Sequence, residues 1–177
     1  VLNSLASFIV AHECCHVPVS SIVKPLGKFI GAKRRFETKG HVAGVWVVDD
    51  YAHHPVELDA AIRSVREIYS GKHIMGIFQP HLYSRTADFY QDFAKSLSML
   101  DQVVLLDIYP ARELPLPGVT SRLILDLIEN PNKTLVSKND LFDYLHGNEI
   151  PDVVLILGAG DIDRLVIPVK QYLQTLC

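Results

Sequence analysis

Asp49, Asp50, Tyr51, His53 and His54 crowd between an apolar run, Val45 to Val48, and Pro55. Carboxylates beside imidazoles suit two kinds of chemistry: proton transfer near neutral pH and binding of divalent metal ions. Two further clusters have the same character. Gln79 to Thr86 reads QPHLYSRT and Tyr109 to Glu113 reads YPARE, each after an apolar run. Arg85 could fork onto a carboxylate while His81 or a tyrosine holds or deprotonates an amine, so the set could grip an amino acid at both ends. Taken singly, each cluster could be a capped helix start, with Asp49 or His54 satisfying amides ahead of Pro55 and Ser84 capping the next helix. Caps do not require histidine and arginine, and their recurrence in separate clusters favours a shared crevice.

Two motif matches carry less. Gly158 to Asp161, GAGD, follows an apolar run as a phosphate-binding turn would. Asp163, however, occupies the third glycine position of the dinucleotide fingerprint, and Asp161 puts negative charge where phosphate would lie. Gly158 and Gly160 therefore read as tight-turn residues. His12 to His16, HECCH, has the His-Glu-x-x-His spacing of zinc proteases, with Glu13 as base. Pro18 follows almost at once, and Val19 and Ile22 stand where the extended motif has glycine and histidine, so no metal ligand is assigned there.

Elements must hold these clusters in place. Val45 to Val48 is short, β-branched and unbroken, the pattern of a strand covered on both faces, and ligands in open α/β sheets sit beyond the carboxyl ends of such strands. Strands are predicted at residues 42–48, 73–78, 103–108, 134–136 and 153–157. Pro55 leads a helix with Leu58, Ala61, Ile62, Val65 and Tyr69 on one side. Phe89, Phe93, Leu97 and Leu100 stripe the next, Leu123, Ile124, Leu127 and Ile128 another, and Leu141, Phe142 and Leu145 a short one. A helix from Ile162 to Leu173 closes the chain, bent or interrupted at Pro168. Strands alternating with helices imply an α/β fold with a mainly parallel sheet. Two helices precede it, from Leu2 to about Ala11 and from a cap at Ser20 or Ser21 to Gly31. A domain boundary is placed near Thr38, dividing residues 1–38 from 39–177.

The net charge of -3, from 17 basic and 20 acidic residues, leaves no basic footprint for nucleic acid, and Lys33 to Arg35 are too few for a membrane patch. No apolar run approaches the roughly 20 residues that span a bilayer, so no membrane insertion is expected. Cys14, Cys15 and Cys177 suit reduced thiols in a cytoplasm better than a disulfide framework. Val1 opens directly into a helical pattern without an initiator Met, so the chain is expected to be a piece of a longer protein.

GAKRRFE, DDYAHHP, FQPHLYSRT and PARELPLPGVTS, in this order and spacing, resemble the C-terminal part of the Mur ligases, in the branch that adds L-alanine to UDP-N-acetylmuramate. The resemblance covers essentially the whole chain. Residues 1 to about 38 resemble the end of the central ATP-binding domain, and the rest resembles the Rossmann-like, amino-acid-binding C-terminal domain. It implies that ATP phosphorylates the lactyl carboxylate of UDP-N-acetylmuramate, that the amine of L-alanine attacks, and that two Mg2+ ions neutralise the transferring charge. It further implies that Arg35 and Asp50 contact the nucleotide, Asp50 on the ribose. Tyr51, His53, His81 and Arg85 would line the alanine site, Arg85 taking the carboxylate and His53 standing as the candidate base. The partners implied are the two substrates and the chain's own central and N-terminal domains.

Leu82 stands where the family often has arginine, and no Gly-x-x-x-x-Gly-Lys-Thr-type loop occurs. The chain alone is therefore expected to be inactive, with ATP and Mg2+ bound largely by the missing central domain. Three other readings remain at this point. One is a ligase that reattaches a recycled tripeptide. Another is a metal-dependent hydrolase using Asp49, Asp50, His53, His54 and His81 as ligands. The last is a noncatalytic nucleotide-binding module, for which Arg85→Ala would change no turnover.

Overall fold

The computed structural model describes residues 2–29 and 31–176, which fall into two compact units, Val1–Ala32 and Lys33–Cys177. In the first unit, helix α1 (Leu2–Ile9) runs into a π-helical turn, Val10–Cys14, and α2 spans Val19–Lys28. The π turn ends before His16, whose φ of 51° is left-handed, so His12 and His16 do not share a helix face. His12 Nδ1 instead lies 3.1 Å from the Val17 carbonyl, which it can reach only as a donor. The second helix departs from expectation at both ends. It begins directly after Pro18 rather than at a serine cap, and it ends at Lys28 with Phe29 already extended. Cys14 and Cys15 are exposed free thiols, and Cys177 lies outside the described residues.

The second unit is built on a six-stranded sheet of order β1-β2-β6-β3-β4-β5. Its strands are β1 (Glu37–Val42), β2 (Val45–Asp50), β3 (Ile74–Phe78), β4 (Gln102–Leu105), β5 (Lys133–Leu135) and β6 (Val153–Leu157). All neighbours are parallel except β1 and β2. That pair corrects the single strand expected at 42–48. Ala43 and Gly44, at φ of 54° and 81°, turn the chain back on itself, as a two-residue hairpin with both central residues at positive φ requires. The sheet unit begins at Lys33, and Glu37 pairs with Asp49 in β1.

Helices α3 (Pro55–Ile68), α4 (Tyr83–Leu97) and α5 (Arg122–Leu127) cover one face of the sheet, where Leu58, Ile62, Phe93, Leu97 and Ile124 meet Val48, Phe78 and Leu155. Helix α6 (Leu141–His146), a 3-10 turn at Asp161–Leu165 and α7 (Val166–Gln174) cover the other, packing Leu141, Ile162, Val166 and Val169 onto Val47, Ile77 and Ile156. Burial on both faces is why β3 and β6, with Val45 to Val48 of β2 and Val103 to Leu105 of β4, read as apolar runs. Pro168 falls in the first turn of α7, where a missing N–H costs nothing, and the interruption expected there is the junction with the 3-10 turn. Among the described residues no helix is long and apolar enough to cross a membrane.

One consequence of this topology positions the site. The chain leaves β2 and β3 toward one face and β6, which lies between them, toward the other. Connections that diverge from adjacent parallel strands open a crevice at their carboxyl ends.

Candidate functional site

Asp49 and Asp50 end β2, and their side chains go opposite ways, as successive strand residues must. Asp50 accepts backbone N–H bonds from Phe36 and Ala52, each at 2.7 Å. Burial pushes its carboxyl up, against the pull of those two amides. With Arg35, Phe36, Tyr51, Glu57 and small residues of α3 such as Ala61, Asp50 lines a cavity of about 300 Å³. Asp49 is sealed away at 1% exposure, with Arg34 and Lys39 each 3.6 Å from its Oδ2. Arg34 joins two strand ends: its Nη2 donates to the Gly158 carbonyl at 2.6 Å, its carbonyl accepts from the Tyr51 amide at 2.7 Å, and its guanidinium lies 4.9 Å from the centre of the Tyr51 ring.

Beyond Tyr51 the aromatic and basic groups form a chain. The Tyr51 and His53 rings are 5.2 Å apart, His53 and His81 6.1 Å, and His81 stacks on Tyr109 at 5.6 Å. Arg85 Nη1 reaches His81 Nδ1 at 3.2 Å. Backbone geometry enforces this meeting. Tyr109 donates to the Pro80 carbonyl at 2.8 Å and accepts from Leu82 N–H at 2.9 Å, which ties the β3 and β4 exits together. Leu82, at φ 75°, reverses the chain into α4, and Arg85, in the first turn of that helix, comes back against His81. Leu82 cannot cap that helix, but Glu113 does so from the PARE loop, accepting the Ser84 N–H at 3.0 Å and the Ser84 hydroxyl.

Arginine only donates, so His81 Nδ1 accepts and its ring proton sits on Nε2. Burial, then Arg85 and His53, hold the His81 pKa below its usual value, with Glu113 opposing. A depressed folded-state pKa contributes stability that is present above about 6.5 and lost as pH falls through the folded value. Unfolding midpoints should therefore drop for the wild type relative to His81→Asn between pH 7.5 and pH 5. A difference that stays constant with pH would show that the ring is not depressed.

The glycines at the β6 exit are needed for close packing. Gly158 has φ 144°, and a Cβ there would come within 2.9 Å of the Gln79 carbonyl oxygen. A Cβ on Gly160 would meet the Gln79 amide and the Tyr109 ring at 2.7 Å. Close packing against Gln79 and Tyr109, more than a tight turn, accounts for the two glycines of GAGD. Gly158→Ala should cost roughly 2–3 kcal/mol in urea unfolding, the range for a strained backbone held against a neighbour. A midpoint equal to wild type would mean that the strand ends yield freely.

The sequence profile described as Mur ligase, glutamate ligase domain matches residues 34–160. The chain belongs to the Mur ligase family. It is 78% identical, over all 177 residues, to a UDP-N-acetylmuramate--L-alanine ligase of Porphyromonas gingivalis, and spans 39% of that relative's length. A ligase of the same name from Parabacteroides distasonis is 52% identical over 157 residues, 89% of this chain and 34% of the relative. Among solved structures, the UDP-N-acetylmuramate-alanine ligase of Thermotoga maritima superposes with a TM-score of 0.78 at 26% identity, over 99% of this chain and 38% of that one. A murein peptide ligase from Psychrobacter arcticus shares the fold, with a TM-score of 0.69 at 21% identity over 99% of this chain and 37% of that one.

In this Mur ligase chain, Tyr51, His53, His81 and Arg85 form one contiguous group, and Arg35 and Asp50 sit together on the neighbouring cavity. The metal-ligand set considered from sequence does not assemble. The His54 ring packs edge-on against Phe89 at 4.8 Å, Asp49 is engaged by Arg34 and Lys39, and Asp50 by two backbone amides. Among the described residues no three His, Cys, Asp or Glu side chains are grouped to hold a metal ion. Sequence reasoning missed Arg34 and Glu57. The signal for Glu57 was present, since it stands at capping-box spacing from His54 and one turn after His53.

Proposed function

We propose that this chain is the C-terminal part of an ADP-forming ligase that joins L-alanine to UDP-N-acetylmuramate in peptidoglycan precursor synthesis, in the cytoplasm. The observation that carries the reading is geometric. A guanidinium, two imidazoles and two tyrosine rings converge at the strand ends, next to a cavity holding a carboxylate and a second arginine. Arg85 takes the alanine carboxylate as a planar fork. His53 removes a proton from the amine, while Tyr51 and His81 close the sides of the site.

The cavity suits part of a nucleotide. Each Asp50 oxygen accepts one backbone bond and retains a lone pair for a ribose hydroxyl, Arg35 supplies positive charge, and Ala61 leaves room beside α3. ATP, when bound, supplies the phosphoryl group that activates the substrate carboxylate. The grip on its phosphates and on Mg2+ is assigned to the central domain, to which the helices of the first unit belong in this reading. UDP-N-acetylmuramate is held by that domain and the N-terminal one.

The test uses the polypeptide extended to the full length of its relatives. Phosphate release with ATP, magnesium and UDP-N-acetylmuramate should depend on L-alanine and not on L-Ala-γ-D-Glu-diaminopimelate. Dependence on the tripeptide would move the protein to the recycling branch, and dependence on neither would overturn the ligase reading. The 177-residue chain alone should release no phosphate.

A further inference from the structure

We propose that Glu57 is a positioning residue that fixes the tautomer of His53 and stabilises its charged form, an inference that rests on the ligase reading for its place in the reaction. Glu57 sits at the third position of α3, and its Oε2 accepts the His53 N–H at 3.0 Å and the His54 N–H at 3.2 Å. The same oxygen lies 3.1 Å from His53 Nδ1, whose other polar neighbour is the Tyr51 carbonyl oxygen at 2.9 Å. Both neighbours are acceptors only. Nδ1 must carry a proton to face them, which leaves the Nε2 lone pair as the basic atom of the ring. His53 is thus committed to taking a proton on the side of the ring away from Glu57.

The carboxylate is ready for this task. Burial works against its charge, but the His53 and His54 amides and the His53 ring hold the Glu57 carboxyl below its usual range. As a proton arrives at Nε2, the new positive charge forms 3.1 Å from an ionised oxygen. A carboxylate placed behind an imidazole orients it and stabilises the imidazolium without itself being protonated. Glu57 also lines the cavity with Arg35 and Asp50, so one side chain touches both halves of the site.

Capping and charge can be separated. Glutamine serves as well as glutamate at this capping position, so Glu57→Gln keeps the helix start and removes only the charge. In the full-length ligase, kcat should fall about tenfold, with KM for ATP and L-alanine changed less than about twofold and the unfolding midpoint unmoved. In a His53→Ala background the same substitution should cost nothing further, because the two residues act as one unit. A wild-type kcat in Glu57→Gln, or an equal loss in both backgrounds, overturns the proposal. Nitrogen-15 spectra of labelled histidine give a readout independent of turnover: neutral His53 should carry its proton on Nδ1, and a proton on Nε2 overturns the proposal whatever the activity. A wild-type enzyme with no alanine-dependent phosphate release sinks the ligase reading alone, and the nitrogen spectra then decide the Glu57 contact by themselves.

Discussion

Replacing Arg85 by alanine in the full-length ligase should raise KM for L-alanine by about 10- to 100-fold, because a charge-assisted hydrogen bond is worth about 1.5–3 kcal/mol and each 1.4 kcal/mol is a factor of ten. The guanidinium is free to make such bonds. Its own hydrogen bonds go to the His81 ring at 3.2 Å and, at 3.4 Å, to the His81 carbonyl, and it makes no ion pair among the described residues. Removing it takes nothing from either core cluster, so the unfolding midpoint should stay close to wild type. Arg85→Lys keeps the charge but loses the planar fork, and should recover only part of the affinity. An unchanged KM for alanine in Arg85→Ala would mean that the amino-acid carboxylate is gripped elsewhere and would remove the main chemical reason for placing alanine here. The same substitution relieves His81 of its charged neighbour, so the acid loss of stability expected for His81 should shrink with it.

The parallel part of the fold was legible because burial leaves a plain mark. Val45 to Val48, Ile74 to Phe78 and Val153 to Leu157 are covered on both faces, and only apolar residues tolerate that environment. Helix α3 was equally plain, with Pro55 at its start and one apolar side. Strand β1 left no such mark. Its residues, Glu37 to Val42, are half-buried or exposed at a sheet edge and include Glu37, Lys39, Gly40 and His41, and its turn uses Ala43 at φ 54°, which composition does not announce. Residue types pointed to His81 and Arg85 as a pair, and the two meet at 3.2 Å although His81 precedes the helix that carries Arg85. The approach of His53 to His81 was expected only through the family resemblance, because it depends on β2 and β3 flanking β6, the last strand in the chain. Arg34 and Glu57 escaped notice for a simpler reason. Arg34 looks like a surface charge until the strand ends it contacts are in place, and Glu57 shows in the sequence only as a helix cap.

His53→Ala should lower kcat by about 100- to 10,000-fold, the range for losing a general base, while KM for ATP changes little. Alanine enters as an ammonium ion near neutral pH, and its nitrogen becomes nucleophilic only when a proton leaves. Among the groups gathered here, His81 donates nothing useful to that step, since Arg85 occupies its Nδ1 and its Nε2 already carries the proton. Arg85 has no lone pair with which to accept a proton. His53 alone combines a fixed Nδ1 proton with an available lone pair. Two further measurements separate base from scaffold. His53→Gln restores side-chain length and hydrogen bonding without basicity, so it should remain nearly as slow as His53→Ala. Added imidazole should restore part of the rate in His53→Ala, rising with pH as its neutral form accumulates. A loss below tenfold, or a His53→Gln enzyme close to wild type, would leave His53 as a residue that shapes the alanine site, with the proton passing to water instead.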